Sequence, residues 1–361
     1  LLYPQVRKVG MEFKSYLFGL NMHGFTNDFK ETFGLTGFRI SAPTSNKINI
    51  GLTWVGDRNQ YLGLRDTDND GAPDLVDDFP NNSKWQVDTD GDGLADNELI
   101  EWDIDGDGIT DTLDNQIPGW NLDTIVVLDD DIVKKPEPID INEKTESFNS
   151  YALDISFPLY SDGKIKINAY SQYAGLLGKT LNPSDSTKEN AGYGLIPFGV
   201  SAKMGPAKMN FEYRMVPKGN FEFGYFNRSY EVERSTFKSI SGNQGEIITK
   251  ASKLGSYGKQ NGFFSSLKLD LGSMILARAS YQSLNGKQFN SEENKFETKA
   301  NKSFMAVLGL KKSLSKIEKA SWFYQQRNVP NPFNFEFSES TIMGYNIGLN
   351  LGNGMILTYV F

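Results

Sequence analysis

The sequence predicts an all-β fold: an antiparallel transmembrane β-barrel of about 12 to 14 strands carrying a loop-rich calcium-binding insertion. Three observations predict it. Apolar residues recur with period two over segments of roughly ten residues. Tight turns alternate with long polar connections along the chain, and the charge is split between two unlike parts. The 361 residues carry a formal net charge of -8, yet residues 61–148 hold 25 Asp plus Glu against 5 Lys plus Arg, leaving 20 acidic and 32 basic residues for the remainder. The chain therefore divides into first barrel strands at 1–56, an acidic insertion with its return linker at 57–148, and remaining barrel strands at 149–361.

The alternation is explicit in the strands. In "YALDISFPLY", Tyr151, Leu153, Ile155, Phe157 and Leu159 share one face, with Ala152, Asp154 and Ser156 on the other. "KIKINAYSQY" sets Ile165, Ile167 and Ala169 against Lys164, Lys166, Asn168 and Gln172. "KMNFEYRM" sets Met209, Phe211, Tyr213 and Met215 against Lys208, Asn210, Glu212 and Arg214. "MILARASYQ" and the segment from Met343 to Leu351 behave alike. Short connections such as "SDGK", "MGPAK" and "LGNGM" alternate with long ones at 21–33, 57–148, 175–192, 217–258, 285–301 and 326–340. A soluble sandwich would show the same alternation with its apolar face turned to a core. Charges recurring on the inner faces of successive strands, and aromatics clustered near strand ends, favour the membrane barrel. About 13 strands are visible by this reading, with the insertion between the third and fourth. An odd number is unusual for a single-chain bacterial barrel, so one strand is hidden; "RMVPKGNFEFGYF" is a candidate place for it.

In the insertion, "DTDNDGAPDLVD" places Asp66, Asp68, Asp70, Gly71, Asp74 and Asp77 on the pattern D-x-D-x-D-G-x-x-D-x-x-D. Asp88, Asp90, Asp92, Gly93 and Asp96 repeat it, with Leu99 where the last acid is due and Glu98 beside it. Asp103, Asp105, Asp107, Gly108, Asp111 and Asp114 make a complete third copy. Carboxylates at positions 1, 3 and 5 converge only if the backbone curls sharply, and Gly at position 6 permits that curl. An oxygen-only donor set without His or Cys selects Ca2+. A stretch this acidic cannot fold without cations, and "LDDDIVKKPEPIDINEKTES" reads as an extended return linker.

The repeats resemble thrombospondin type 3 repeats, which implies tandem wrapping around calcium ions with almost no apolar core. The ending "GNGMILTYVF", with Tyr359 and Phe361, resembles the C-terminal signal strand of Gram-negative outer-membrane barrels. That resemblance implies residence in the outer membrane, contact with outer-membrane lipid, and a last strand ending in the periplasm. Such an ending puts the long connections in the periplasm as well, the reverse of the usual asymmetry. The repeated loop-length pattern is given precedence, and the long connections are placed outside. The opening "LLYPQVRKVG" lacks an initiator Met and a signal peptide, as expected of a processed or cropped chain.

Two functions are compatible with this composition. The first is a channel or uptake barrel for hydrophilic or anionic solutes, its lumen lined by Asp154, Lys164, Lys166, Lys208, Glu212, Arg214, Lys268, Asp270 and Arg278, which could also form an interior salt-bridge network. The second is a surface, adhesion or secretion-associated protein in which the barrel anchors an arm that meets an envelope protein or a polysaccharide. No enzyme is expected: His23, in the loop-like "NMHGFTND", is the one histidine, cysteine is absent, and no P-loop, dinucleotide fingerprint or triad motif occurs. Nor is a nucleic-acid partner expected.

Overall fold

The computed structural model describes residues 10–27, 34–44, 47–98, 101, 135, 137–227, 230–239, 245–272, 274–311, 313–314, 316–334, 341–352 and 355–360, with the backbone alone from 352 onward. Two compact units emerge: one comprises Leu1–Gly56, Phe148–Tyr225 and Lys253–Phe361, and the other Asp57–Ser147 and Phe226–Ser252.

The first unit is built on one antiparallel sheet. Its strands begin with β1 (Met11–Leu17), β2 (Leu20–Thr26), β3 (Leu35–Pro43), β4 (Asn49–Asp57), β5 (Phe148–Ser161) and β6 (Ile165–Leu177). A side hairpin, β7 (Lys179–Leu181) and β8 (Lys188–Asn190), precedes β9 (Tyr193–Met204) and β10 (Ala207–Val216). The second hairpin, β11 (Ser235–Ser239) and β12 (Gly245–Thr249), belongs to the other unit. The sheet resumes with β13 (Tyr257–Leu271), β14 (Ile275–Asn290), β15 (Lys295–Leu310), β16 (Ile317–Val329), β17 (Thr341–Gly352) and β18 (Met355–Val360). Its 14 strands lie in simple sequence order from β1 to β18, the two hairpins excepted.

The distribution of side chains in this sheet is the reverse of a soluble core. Leu153 is 53% exposed, Phe211 48% and Phe263 52%, whereas Gln326 is 2%, Asn301 5% and Glu212 8% exposed. Ile50, Leu52, Trp54, Ile155, Phe157, Leu159, Phe198, Met209, Leu308, Trp322 and Met343 extend the exposed apolar set over β4, β5, β9, β10, β15, β16 and β17. Isolated exposed apolar residues are ordinary, but a continuous apolar face over a sheet of this size is not stable in water.

Several sequence expectations change. Residues 21–33 were expected to be a loop, but Leu20–Thr26 is a strand, because Phe18 and Gly19 both adopt positive φ (51° and 79°) and close a two-residue hairpin whose twist suits the flanking strands. This is the hidden strand, so the insertion follows the fourth strand rather than the third; 217–227, the suspected location, holds no strand. The loop expected at 285–301 is instead the continuation of β14 and β15, paired residue by residue from Asn285↔Ala300 to Asn290↔Lys295. Polar side chains line both faces there, so hydropathy alternation cannot reveal the pairing. With 14 strands, the start of β1 and the end of β18 lie at the sheet end from which the connections at 58–147, 178–192, 217–256 and 330–340 leave. The turns at 18–19, 162–164, 205–206 and 272–274 lie at the other end.

Candidate functional site

The aspartate loops of the second unit share one hydrogen-bond pattern. In the first, Asp66 accepts from the backbone N–H groups of Asn69 (2.7 Å) and Gly71 (3.0 Å), and Asp70 accepts from that of Ala72 (2.8 Å). The second repeats it: Asp88 accepts from Gly91 (2.7 Å) and Gly93 (3.0 Å), and Asp92 from Leu94 (2.7 Å). Gly71 and Gly93 sit at φ of 102° and 93°, a conformation that a Cβ would strain, which explains glycine at position 6. The curl brings one carboxylate oxygen each from Asp66, Asp68 and Asp70 within 4.8 Å of one another, and does the same for Asp88, Asp90 and Asp92.

The ninth positions behave differently. Asp74 accepts from the backbone N–H (2.7 Å) and hydroxyl (2.8 Å) of Thr67, and Asp96 does the same with Thr89 (2.7 and 2.8 Å). Both therefore brace the loops from across the turn. Asp77 Oδ2, Asp68 Oδ2 and Asp70 Oδ2 are buried without a hydrogen-bond donor. Such oxygens are costly unless a cation meets them, and burial together with the charges of Asp70 and Asp68 pushes the Asp77 carboxyl up to about 6. Donor type, spacing and these orphaned oxygens fit Ca2+, which would be held by Asp66, Asp68, Asp70 and Asp77 in the first loop and by Asp88, Asp90 and Asp92 in the second. Asp103, Asp105, Asp107, Asp111 and Asp114 lie outside the described residues. The return segment folds onto the first loop: the Ile141 N–H donates to the Gly71 carbonyl at 2.9 Å. Apolar burial is slight here, with Ala72 and Ala95 nearly inaccessible.

On the polar face of the sheet, some of the expected lumen residues are paired. Arg39 on β3 reaches across Gly51 on β4 to grip Asp154 on β5 through two bonds of 2.6 and 2.8 Å; a Cβ on Gly51 would lie 2.3 Å from the guanidinium. Arg214 pairs with Glu212 (2.6 Å) and stacks on Phe264, while the Tyr170 hydroxyl donates to Glu212 (2.7 Å). Asp270 is paired with Lys311. Lys166, Lys208, Lys268 and Arg278 make no ion pair among the described residues, and Lys164 sits at the β5–β6 turn.

Sequence reasoning missed a second element of this face. The segment after β10 turns inward: Phe221, Phe223 and Tyr225 are buried, and Glu222 accepts from Arg327 (2.7 Å) and Asn328 (2.6 Å) on β16. Since β13, β14 and β15 separate β10 from β16 in the sheet, this segment spans a curled polar face. His23 is also misplaced by sequence: it lies on β2, not in a loop, with its Nε2 2.7 Å from Glu12 Oε1 on the paired β1.

No family model and no curated protein matches the chain. Among solved structures, CdiB from Acinetobacter baumannii aligns with 94% of this chain at 8% identity and a TM-score of 0.32, a likeness too slight to bear on function. The chain spans about half the length of that structure, 48% of it.

Proposed function

We propose that the chain is an outer-membrane β-barrel, closed by pairing of β1 with β18, whose polar interior passes hydrophilic solutes and whose acidic insertion is a calcium-stabilised arm. The inverted side-chain distribution carries this reading: an exposed apolar face over 14 strands, backed by polar and charged groups, suits lipid outside and water within. Closure supplies partners for the outer edges of β1 and β18, which an open sheet would leave bare in hydrocarbon. The inward segment with Glu222 and Arg327 then narrows the passage. In planar bilayers the purified chain is expected to give stable ohmic conductance; a folded, inserted chain without conductance would overturn the channel reading.

The buried 221–225 segment favours a second reading, in which the barrel is largely filled and serves as an anchor for secretion or for contact with an envelope or surface partner. Non-conducting but correctly folded protein is the outcome that selects it. We place the arm outside the cell. Protease should cut it in intact cells only after chelation; protection under both conditions would refute the external placement.

A further inference from the structure

Register brings together five basic residues that sequence spacing leaves scattered. Lys166 on β6 pairs with Lys203 on β9, Lys203 with Lys208 on β10, Lys208 with Lys268 on β13, and Lys268 with Arg278 on β14. All five therefore occupy one row of the polar face, across five neighbouring strands about 4.8 Å apart. Directly opposed like charges destabilise a sheet, and no counter-charge relieves them: among the described residues none of the five is ion-paired. The nearest carboxylates are engaged elsewhere. Asp270 is held by Lys311, Asp162 accepts from the backbone of Lys164 and Ile165, and Glu212, two rows away, is held by Arg214 and Tyr170.

The adjoining row is equally uniform. Asn168, Ser201, Asn210, Ser266 and Ser280 lie in register on the same five strands, with Asn210 donating to Ser266 at 2.8 Å. A band of cations beside a band of neutral amides and hydroxyls offers charge and hydrogen-bond donors to an oxyanion, and Asp270, two residues from Lys268 on the same face, is already neutralised by Lys311.

We infer that these two rows form an anion-selective girdle near the short-turn end of the passage, binding small multivalent oxyanions of the phosphate type. The inference rests on the polar face lining a passage, and names its solute class. Such a ligand meets several cations at once and removes the repulsion that the bare row retains.

The test uses the full chain with calcium in bilayers of zwitterionic lipid, under a tenfold KCl gradient. Wild type should show an anion-selective reversal potential and block by inorganic pyrophosphate. The triple variant Lys203→Gln, Lys208→Gln, Lys268→Gln should lose the selectivity and raise the half-blocking concentration at least tenfold, while the corresponding triple Arg variant retains both. Conductance without anion preference, or block unchanged in the Gln variant, overturns the girdle and leaves the channel reading intact. Absent conductance sinks the channel reading instead, and calorimetric titration of the micelle-bound chain with pyrophosphate then decides the girdle. Binding lost in the Gln variant and kept in the Arg variant supports it; no binding by wild type overturns it. If the Gln variant fails to fold, Lys208→Gln alone is read by the same block, with a threefold or greater weakening expected and no change overturning the girdle.

Discussion

The 14-stranded sheet and the acidic unit solve the same problem, the satisfaction of polar groups, under opposite conditions. In the sheet, backbone ladders satisfy the main chain and the apolar side chains are left on the outside, where only lipid suits them. In the acidic unit there is no extended ladder over 58–98; backbone N–H groups are satisfied by aspartates, and the aspartates in turn leave oxygens unmet. On the reading proposed above, one region depends on its solvent and the other on an ion. Each should therefore fail under a treatment that spares the other.

The largest expected effect is chelation. Removing calcium should unfold the aspartate loops at 58–98 while leaving the sheet intact, seen as rapid proteolysis of the insertion with unchanged heat-modifiable mobility of the barrel. Simultaneous loss of both would break the contrast. Next, Phe211→Arg, on the exposed apolar face, should destabilise the sheet by about 2–4 kcal/mol in lipid if that face meets the bilayer midplane. Urea titration in vesicles measures it, and calcium affinity should not move. Glu222→Gln leaves the largely buried Arg327 without its charge partner and should weaken docking of the 217–227 segment by about 3 kcal/mol. The readout is larger single-channel conductance; an unchanged value would show that the segment does not narrow the passage.

A finer test separates roles within one loop. Asp68→Asn removes an oxygen that has no donor, and should lower calcium affinity by about tenfold or more. Thr67→Ala removes one brace on Asp74 without touching a donor oxygen and should cost less than Asp68→Asn, by calorimetry. The smallest effect is on pH. Because Asp77 is raised to about 6 in the folded, metal-free unit, its native state binds the proton more tightly than the unfolded chain. Its contribution to stability is present below the ordinary carboxylate range and lost as pH rises through about 6. The metal-free insertion should therefore melt at higher temperature at pH 5 than at pH 7, and Asp77→Asn should flatten that difference.

Much of the sheet was legible because period-two alternation is a direct consequence of pleating: Leu153, Asp154 and Ile155 announce their faces without any tertiary information. Failure came where alternation carried no contrast. The polar extension of β14 and β15 beyond Asn285 looks like loop, and β2 was hidden because Gly24 interrupts its apolar face while Phe25 falls on the polar face beside His23. The aspartate spacing was legible because the loop is local, each contact falling within about a dozen residues. Register was not legible. Lys203 was absent from the expected lumen set, and the row joining Lys166 to Arg278 depends on turn lengths at 205–206 and 272–274 and on the long detours at 178–192 between β6 and β9 and at 217–256 between β10 and β13. The Glu222–Arg327 bridge is separated by 105 residues, beyond any local pattern.

The near absence of apolar burial around the aspartate loops has a consequence for biogenesis. A segment held by an ion rather than by a greasy core stays pliant wherever that ion is scarce, and so can be threaded through a narrow aperture as an open chain. With Ca2+ bound as proposed, it would harden on reaching a calcium-rich compartment, and the hardened form could no longer slip back. Calcium in this picture acts as a latch on translocation, giving passage a direction without any motor.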